Sequence, residues 1–294
     1  MKPAPKALYA LILLMTLIWG ANYVVAKTAL GHFPALLIGP LRAALAAVLL
    51  LPVYAAARAR RPRQEALTVR ELGLLGLLGV FGITLNQVFF ILGMARTSVA
   101  HAALLIATTP LQVMALAGLR GQEPITVRKA AGMMTAVAGV GLLHAGDAGG
   151  RGASLAGDGL VFLAALCFSL YTVFGKEITK RHDSLTVNAL GYVAGALAGA
   201  PLLVYESLGF DYGRVAAAGW LALAYMTLLA SILCYLIFYH ALDHMPASRL
   251  AAFSYLQPVI AAATGFVFLH EPVTLPVAAG GALVLGGVWV TGRG

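Results

Sequence analysis

Apolar residues along this chain come in long runs separated by short polar connectors, and the runs have the length of a bilayer crossing. A helix needs about 20 mainly apolar residues to traverse the hydrocarbon. Ten stretches meet that need: residues 8–27, 35–57, 72–94, 98–119, 127–144, 155–175, 185–206, 216–241, 247–268 and 274–291. The connectors carry Pro, Gly or charge, as turns do. The pattern predicts an all-α polytopic membrane protein with ten transmembrane helices.

The runs also repeat. Shifted by 148 positions, the chain lays Phe90 on Phe238, Ala103 on Ala251, Pro110 on Pro258 and Ala115 on Ala263. The register continues without a gap through Glu123, Pro124 and Thr126 onto Glu271, Pro272 and Thr274, and Gly132 and Gly139 fall on Gly280 and Gly287. Near the start of each half, Leu17–Lys27 aligns with Leu166–Lys176, placing Trp19 on Phe168 and Lys27 on Lys176. A fixed internal period marks a duplicated architecture. The expected copies are residues 1–144 and 155–294, joined by a Gly-rich linker at 145–154. Five crossings per copy is an odd number, so the second copy enters the membrane from the opposite face and the repeats are inverted. Lys2 and Lys6 before the run Leu8–Ala26 resemble a secretory signal. That run lacks a small-x-small cleavage site and has an internal counterpart, so it reads as part of the fold.

Composition agrees with the bilayer as solvent. Hydrophobic residues make up 61% of the 294, charged residues 11%, and mean hydropathy is +0.88. A soluble domain carries about 25% charged residues, because something must face water. The net charge of +9 sits mostly in connectors, which argues for membrane orientation and against a nucleic-acid partner. With the N-terminus inside, fifteen Lys and Arg fall in inner segments and four (Lys27, Arg96, Arg151, Arg214) in outer ones, while Arg42 lies within the second span. That bias predicts both termini in the cytoplasm. The Ala-, Gly- and Arg-rich composition points to a bacterial inner membrane. Cys167 and Cys234 both fall in apolar runs and read as small buried hydrophobes.

Polar side chains inside a span are costly and mark either a solute pathway or a helix contact. In the first span Trp19, Asn22, Tyr23 and Ala26 share one face; the amide and rings suit an amphipathic solute, or equally an interhelical bond. In the third span Asn86 and Gln87 point about 100° apart. Gln87, in line with Phe90 and Met94, is the cavity candidate, and Asn86 the structural one. Spans four and nine carry Pro110 and Pro258 at equivalent points, where a lost hydrogen bond makes a bend. Around these prolines lie His101, Thr108, Ser254, Tyr255 and Gln257. The sixth span offers Ser169 and Tyr171, and the eighth Tyr235 and Tyr239 on a stripe with Ser231. Glycines at 73, 76, 79 and 82 and at 191, 195 and 199 read as close-packing surfaces.

The eleven acidic residues all fall in or near connectors. Coupling through a histidine, coupling at a membrane-edge carboxylate and passive exchange all stay open. No metal-ligand spacing or phosphate-cradling loop occurs, so no metal or cofactor is expected and the chain does not hydrolyse ATP.

The Trp19-Gly20-x-Asn22 stretch, Pro40-Leu41-Arg42 opening span two and the Glu-Pro-x-Thr connectors before Gly-rich spans five and ten carry a resemblance. In this order they are similar to the drug/metabolite transporter superfamily, in its ten-helix EamA-like branch, and most of all to bacterial exporters of aromatic and neutral amino acids. The resemblance implies a secondary transporter working by alternating access, with spans five and ten bracing the bundle from its periphery. With few charges expected in the cavity, the solute would be a small neutral or zwitterionic metabolite. Its candidate ligands are Trp19, Asn22, Tyr23, Gln87, Phe90, His101, Thr108, Ser169, Tyr171, Tyr235, Tyr239, Ser254 and Tyr255, with Pro110 and Pro258 as hinges. A homodimer stays open. A membrane enzyme acting on a lipid-linked intermediate, a passive facilitator and a non-catalytic scaffold are the alternatives. The enzyme would need a convergent acid–base set, for which His101 with a Ser or Tyr is the only nucleus.

Overall fold

The computed structural model describes residues 5–60, 67–121, 126–145, 154–179, 181–245, 247–270 and 274–292. These form ten helical spans. The first copy contributes α1 (Pro5–Leu30), α2 (Ala35–Arg60), α3 (Val69–Met94), α4 (Val99–Leu119) and α5 (Val127–Ala145). The second contributes α6 (Leu155–Ile178), α7 (Ser184–Ser207), α8 (Ala217–His244), α9 (Ala247–Ala252, Phe253–Leu256 and Gln257–Leu269 in succession) and α10 (Leu275–Gly292). Seven of them, α1 to α4 and α6 to α8, are long and apolar enough to cross a membrane. No strand occurs among the described residues. The expected linker 145–154 lies, apart from Ala145 and Ser154, outside the described residues, as do Glu123, Pro124, Glu271 and Pro272.

Packing repeats across the copies with an exchange of partners. α1 lies against α8 and α9, and its counterpart α6 lies against α3 and α4. α2 pairs with α7, and α5 with α10. In the last pair a Cβ on Gly139 would meet the Gly280 carbonyl, and a Cβ on Gly287 would meet the Gly132 carbonyl. The 148-residue shift turns one contact into the other with the copies exchanged, which is the contact pattern of a two-fold axis. The two copies are inverted repeats.

Neither the third nor the eighth span is a continuous α-helix. Gly79–Leu85 in α3 and Tyr225–Leu233 in α8 are wound as π-helix, and the 148-residue shift maps the first onto Thr227–Leu233 within the second. Wider winding displaces the backbone ladder and leaves carbonyls to be satisfied by side chains. Spans four and nine are broken as well. α4 interrupts at Ala107–Thr108 and α9 passes through a 3₁₀ turn at Phe253–Leu256, and in each case a proline, Pro110 or Pro258, sits in the first turn of the helix that follows. A proline is tolerated there because the donor it lacks falls where the ladder is already interrupted. The Thr109 hydroxyl donates at 2.6 Å to the Ile106 carbonyl that Pro110 cannot reach.

The helix ends are tied alike. Lys27 Nζ donates to the Thr97 carbonyl at 2.6 Å, and its counterpart Lys176 donates to the carbonyls of Leu242 and Met245, the latter at 2.8 Å. Met245 is the 148-shifted equivalent of Thr97, so one tie recurs at opposite membrane faces. On the Lys176 face, Glu71 closes a capping box with Thr68 and pairs with Arg181 at 2.9 Å and His182 at 3.2 Å.

The glycine rows divide. A Cβ on Gly79 would meet Gly191, Ala194 and Gly195, and a Cβ on Gly82 would run into the Tyr171 ring, whereas Gly73 and Gly76 have nothing near them. Only the lower part of the α3 row is a packing surface.

Candidate functional site

The central cavity is bordered by seven spans, and about 620 Å³ of empty space lies within it and its open mouth together. Trp19, Asn22 and Tyr23 enter it from α1, Arg42 from α2, and Asn86, Gln87 and Phe90 from α3. Ile106 and Thr109 come from α4, Phe168 from α6, Tyr235 from α8, and Ser254 and Gln257 from α9. Under the 148- and 149-residue registers, Trp19 corresponds to Phe168, Gln87 to Tyr235, Ile106 to Ser254 and Thr109 to Gln257. The cavity therefore sits on the axis relating the copies. A smaller space continues past Trp19 and Phe168 toward Met15 and Leu250.

The π segments hold two of the aromatic walls. Trp19 Nε1 donates to the Ala230 carbonyl at 3.0 Å, and Tyr235 OH donates to the Gly82 carbonyl at 3.1 Å. Gly82 and Ala230 are equivalent positions, so in each copy a matched π-segment carbonyl orients a ring of the cavity wall. Around them Trp19 meets Phe168 edge-on at 5.7 Å and Tyr235 at 5.9 Å, the arrangement that the ring quadrupoles favour. Tyr23 OH donates to Gln257 Oε1 at 3.1 Å and joins α1 to α9.

Polar groups in the wall are unequally satisfied. Asn86 donates to the Ala164 carbonyl at 2.8 Å, the structural bond expected of it, yet it also borders the cavity beside Gln87. The cavity lining covers an arc of about 100° on α3, so adjacent residues both reach it. Buried Asn22 Oδ1 and both amide atoms of Gln87 have no partner. Native interiors rarely leave such groups unpaired, and a ligand is one way to pair them.

Of the residues singled out from the sequence, Trp19, Asn22, Tyr23, Gln87, Phe90, Tyr235 and Ser254 meet at this cavity. The others lie elsewhere. Tyr171 and Tyr239 meet edge-on at 5.2 Å in the core behind the wall. Ser169 bonds to the Ala165 carbonyl and Gln112 Oε1, and Thr108 donates to the Leu105 carbonyl at 2.6 Å. Tyr255 packs on Leu111, Met114 and Ala136. Pro110 and Pro258 are buried at the breaks in α4 and α9, outside the cavity lining. His101 is also remote: its Nδ1 stands 3.2 Å from Asp158 Oδ2, while the Thr97 hydroxyl bonds to the other carboxylate oxygen. All three are buried.

Among the described residues the cavity lining carries one charged side chain. Arg42 is 4% exposed, borders the cavity and donates through Nε to Ser231 Oγ at 2.5 Å. Its position inside an apolar span of 26 residues was the available signal, since such a charge marks function or a partner. No cluster of three or more His, Cys, Asp or Glu occurs among the described residues.

Comparison with known proteins finds the EamA-like transporter family matching residues 6–144 and again residues 155–293. The chain is 27% identical over 275 residues to the uncharacterized transporter YetK of Bacillus subtilis, covering 92% of this chain and 82% of that one. It is 27% identical to a probable amino-acid metabolite efflux pump of Salmonella typhimurium, covering 95% and 93% of the two chains. With a probable terminal-alkyne amino-acid exporter of Streptantibioticus cattleyicolor it shares 28% identity over 98% and 94%. One solved crystal structure superposes with a TM-score of 0.69 at 19% identity, covering 98% of this chain and 96% of the other, which establishes likeness of fold.

Proposed function

We propose a function from one premise, that the chain belongs to the EamA-like transporter family: it is a secondary carrier that moves small zwitterionic or neutral metabolites, amino acids with aromatic side chains among them, out of the cell by alternating access. The observation that carries the reading is the central cavity on the axis between inverted copies, walled by aromatic rings and unpaired amides. Rings take up an apolar body, and amides hold a polar end. The names of the Salmonella and Streptantibioticus relatives support amino acids as the solute class. The protein lies in the inner membrane with both termini in the cytoplasm, supported by the Lys and Arg distribution.

Alternating access would use the matched breaks. Helices already interrupted before Pro110 and Pro258 can swing their halves without losing further backbone bonds. Replacing both prolines with alanine is expected to lower flux in proteoliposomes about tenfold while abundance changes less than about twofold, because restored i to i−4 bonding stiffens each break. Unchanged flux removes the prolines from the mechanism. The function itself is tested by counterflow. Vesicles containing only this protein and loaded with unlabelled phenylalanine should accumulate external labelled phenylalanine transiently and chemically unaltered. Uptake equal to that of protein-free vesicles for every amino acid tried would refute the carrier.

A further inference from the structure

We infer that Arg42 is the carboxylate anchor of the cavity, so that the protein recognises its solute by a carboxylate and the solute's amine is dispensable. The inference rests on the carrier reading for the occupant of the cavity and names the occupant's class.

Guanidinium stays charged at every accessible pH, and a buried charge is strongly unfavourable until an anion pairs with it. Arg42 has a hydroxyl instead: Ser231 Oγ takes the Nε proton, leaving four of the five N–H donors without a hydrogen bond among the described residues. No carboxylate lines the cavity. Of the described carboxylates outside it, Asp158 is committed to His101 and Thr97, Glu71 to Arg181 and His182, and Glu177 to Arg120. No described carboxylate supplies the anion, and the charged end of the solute can. A planar guanidinium fork fits a carboxylate through two parallel bonds. The unpaired amide of Gln87, in the same wall, can supply a further N–H donor.

An ammonium group finds no such reception. It would enter a site that already holds one positive charge and no described carboxylate, where like charges repel. Arg42 aside, it meets uncharged groups alone among the described lining, including the carbonyl oxygens of Asn22, Asn86 and Gln87, the Ser254 hydroxyl and the faces of Trp19, Phe90 and Phe168. A carboxylic acid lacking an amine should satisfy Arg42 as well as an amino acid does. The corresponding stretch of the second copy, Leu190-Gly191, carries no charge, so the anchor exists on one wall only.

The test is a ligand series on the purified full chain in detergent at fixed ionic strength, read by thermal unfolding and by fluorescence titration, since Trp19 lies in the cavity. L-Phenylalanine and 3-phenylpropanoate should bind within about threefold of each other, and phenethylamine roughly 10- to 100-fold more weakly, the range for losing a charged hydrogen bond. Arg42→Gln should weaken both acids by a similar factor, with Arg42→Lys in between. Phenethylamine binding as tightly as the acids, chloride alone protecting at the same concentrations, a folded Arg42→Gln chain binding acids like wild type, or no binding by any of the three would each overturn the inference. Should Arg42→Gln fail to fold, the wild-type series alone decides. Counterflow with the same ligands keeps the two readings apart. Binding of acids without exchange sinks the carrier and leaves the anchor, while equal exchange of acids and amine sinks the anchor and leaves the carrier.

Discussion

The two walls of the cavity come from copies of one unit, and they differ in kind. Four lining positions are matched across the copies, Trp19 with Phe168, Gln87 with Tyr235, Ile106 with Ser254 and Thr109 with Gln257. The remaining lining residues, Asn22, Tyr23, Arg42, Asn86 and Phe90, all belong to the first copy. Scaffold features show no such bias: the π segments, the proline breaks and the lysine ties recur in both halves. Duplication has kept the scaffold equivalent and let the first copy's wall gather the charge and the unpaired amides. A carrier needs this division, because rocking asks for matched halves whereas orienting an asymmetric solute asks for unmatched walls.

Ways to break that comparison follow in order of size. Gly82 lies in the π segment of α3, where any side chain would enter the Tyr171 ring. Gly82→Leu should cost roughly 3 kcal/mol or more through overpacking, seen as loss of folded protein in detergent, whereas Gly76→Leu, pointing into open space, should stay within about 0.5 kcal/mol. Next come the ties. Lys27→Met strips the Thr97 carbonyl of its charged donor, Lys176→Met strips those of Leu242 and Met245, and each should destabilise by about 2 kcal/mol. Equal shifts in the thermal midpoint are the prediction, and a shift in only one variant denies that the copies are mechanically equivalent.

The third prediction sharpens the contrast between walls. Gln87→Leu removes an unpaired amide and should weaken solute binding about tenfold, whereas Tyr235→Phe at the matched position should change affinity less than about threefold. Reversal of that order would place the polar wall in the second copy. Smallest are the donors that pin the rings. Trp19→Phe and Tyr235→Phe each free a π-segment carbonyl and should cost about 1 kcal/mol of stability, measurable as similar lowering of the unfolding midpoint.

Much of this was legible in the residues themselves. Span lengths and the internal register follow from apolar patterning, which the bilayer enforces strictly because no backbone polar group can go unpaired there. Trp19, Asn22, Gln87 and Tyr235 could be placed because a polar or amphipathic side chain within an apolar run has few other fates. The π segments were not legible, since winding is set by how carbonyls find donors from other helices, and Trp19 lies 211 residues from Ala230. Nor was the His101–Asp158 pair, whose members stand 57 residues apart and meet only when α4 packs on α6. His101 looked like a cavity ligand because a sequence does not show which face of a helix its partner occupies. Arg42 was counted as a topological remainder, although a cation inside an apolar span was itself the signal.

The central claim is that one cavity faces each side of the membrane in turn. It is tested most directly with a single cysteine at Gln87, in a chain whose buried Cys167 and Cys234 are replaced by alanine, labelled with a membrane-impermeant thiol reagent from either side of oriented proteoliposomes. Labelling from both sides, with solute shifting the two rates in opposite directions, is the predicted result. Labelling from one side alone, unaffected by solute, would contradict it.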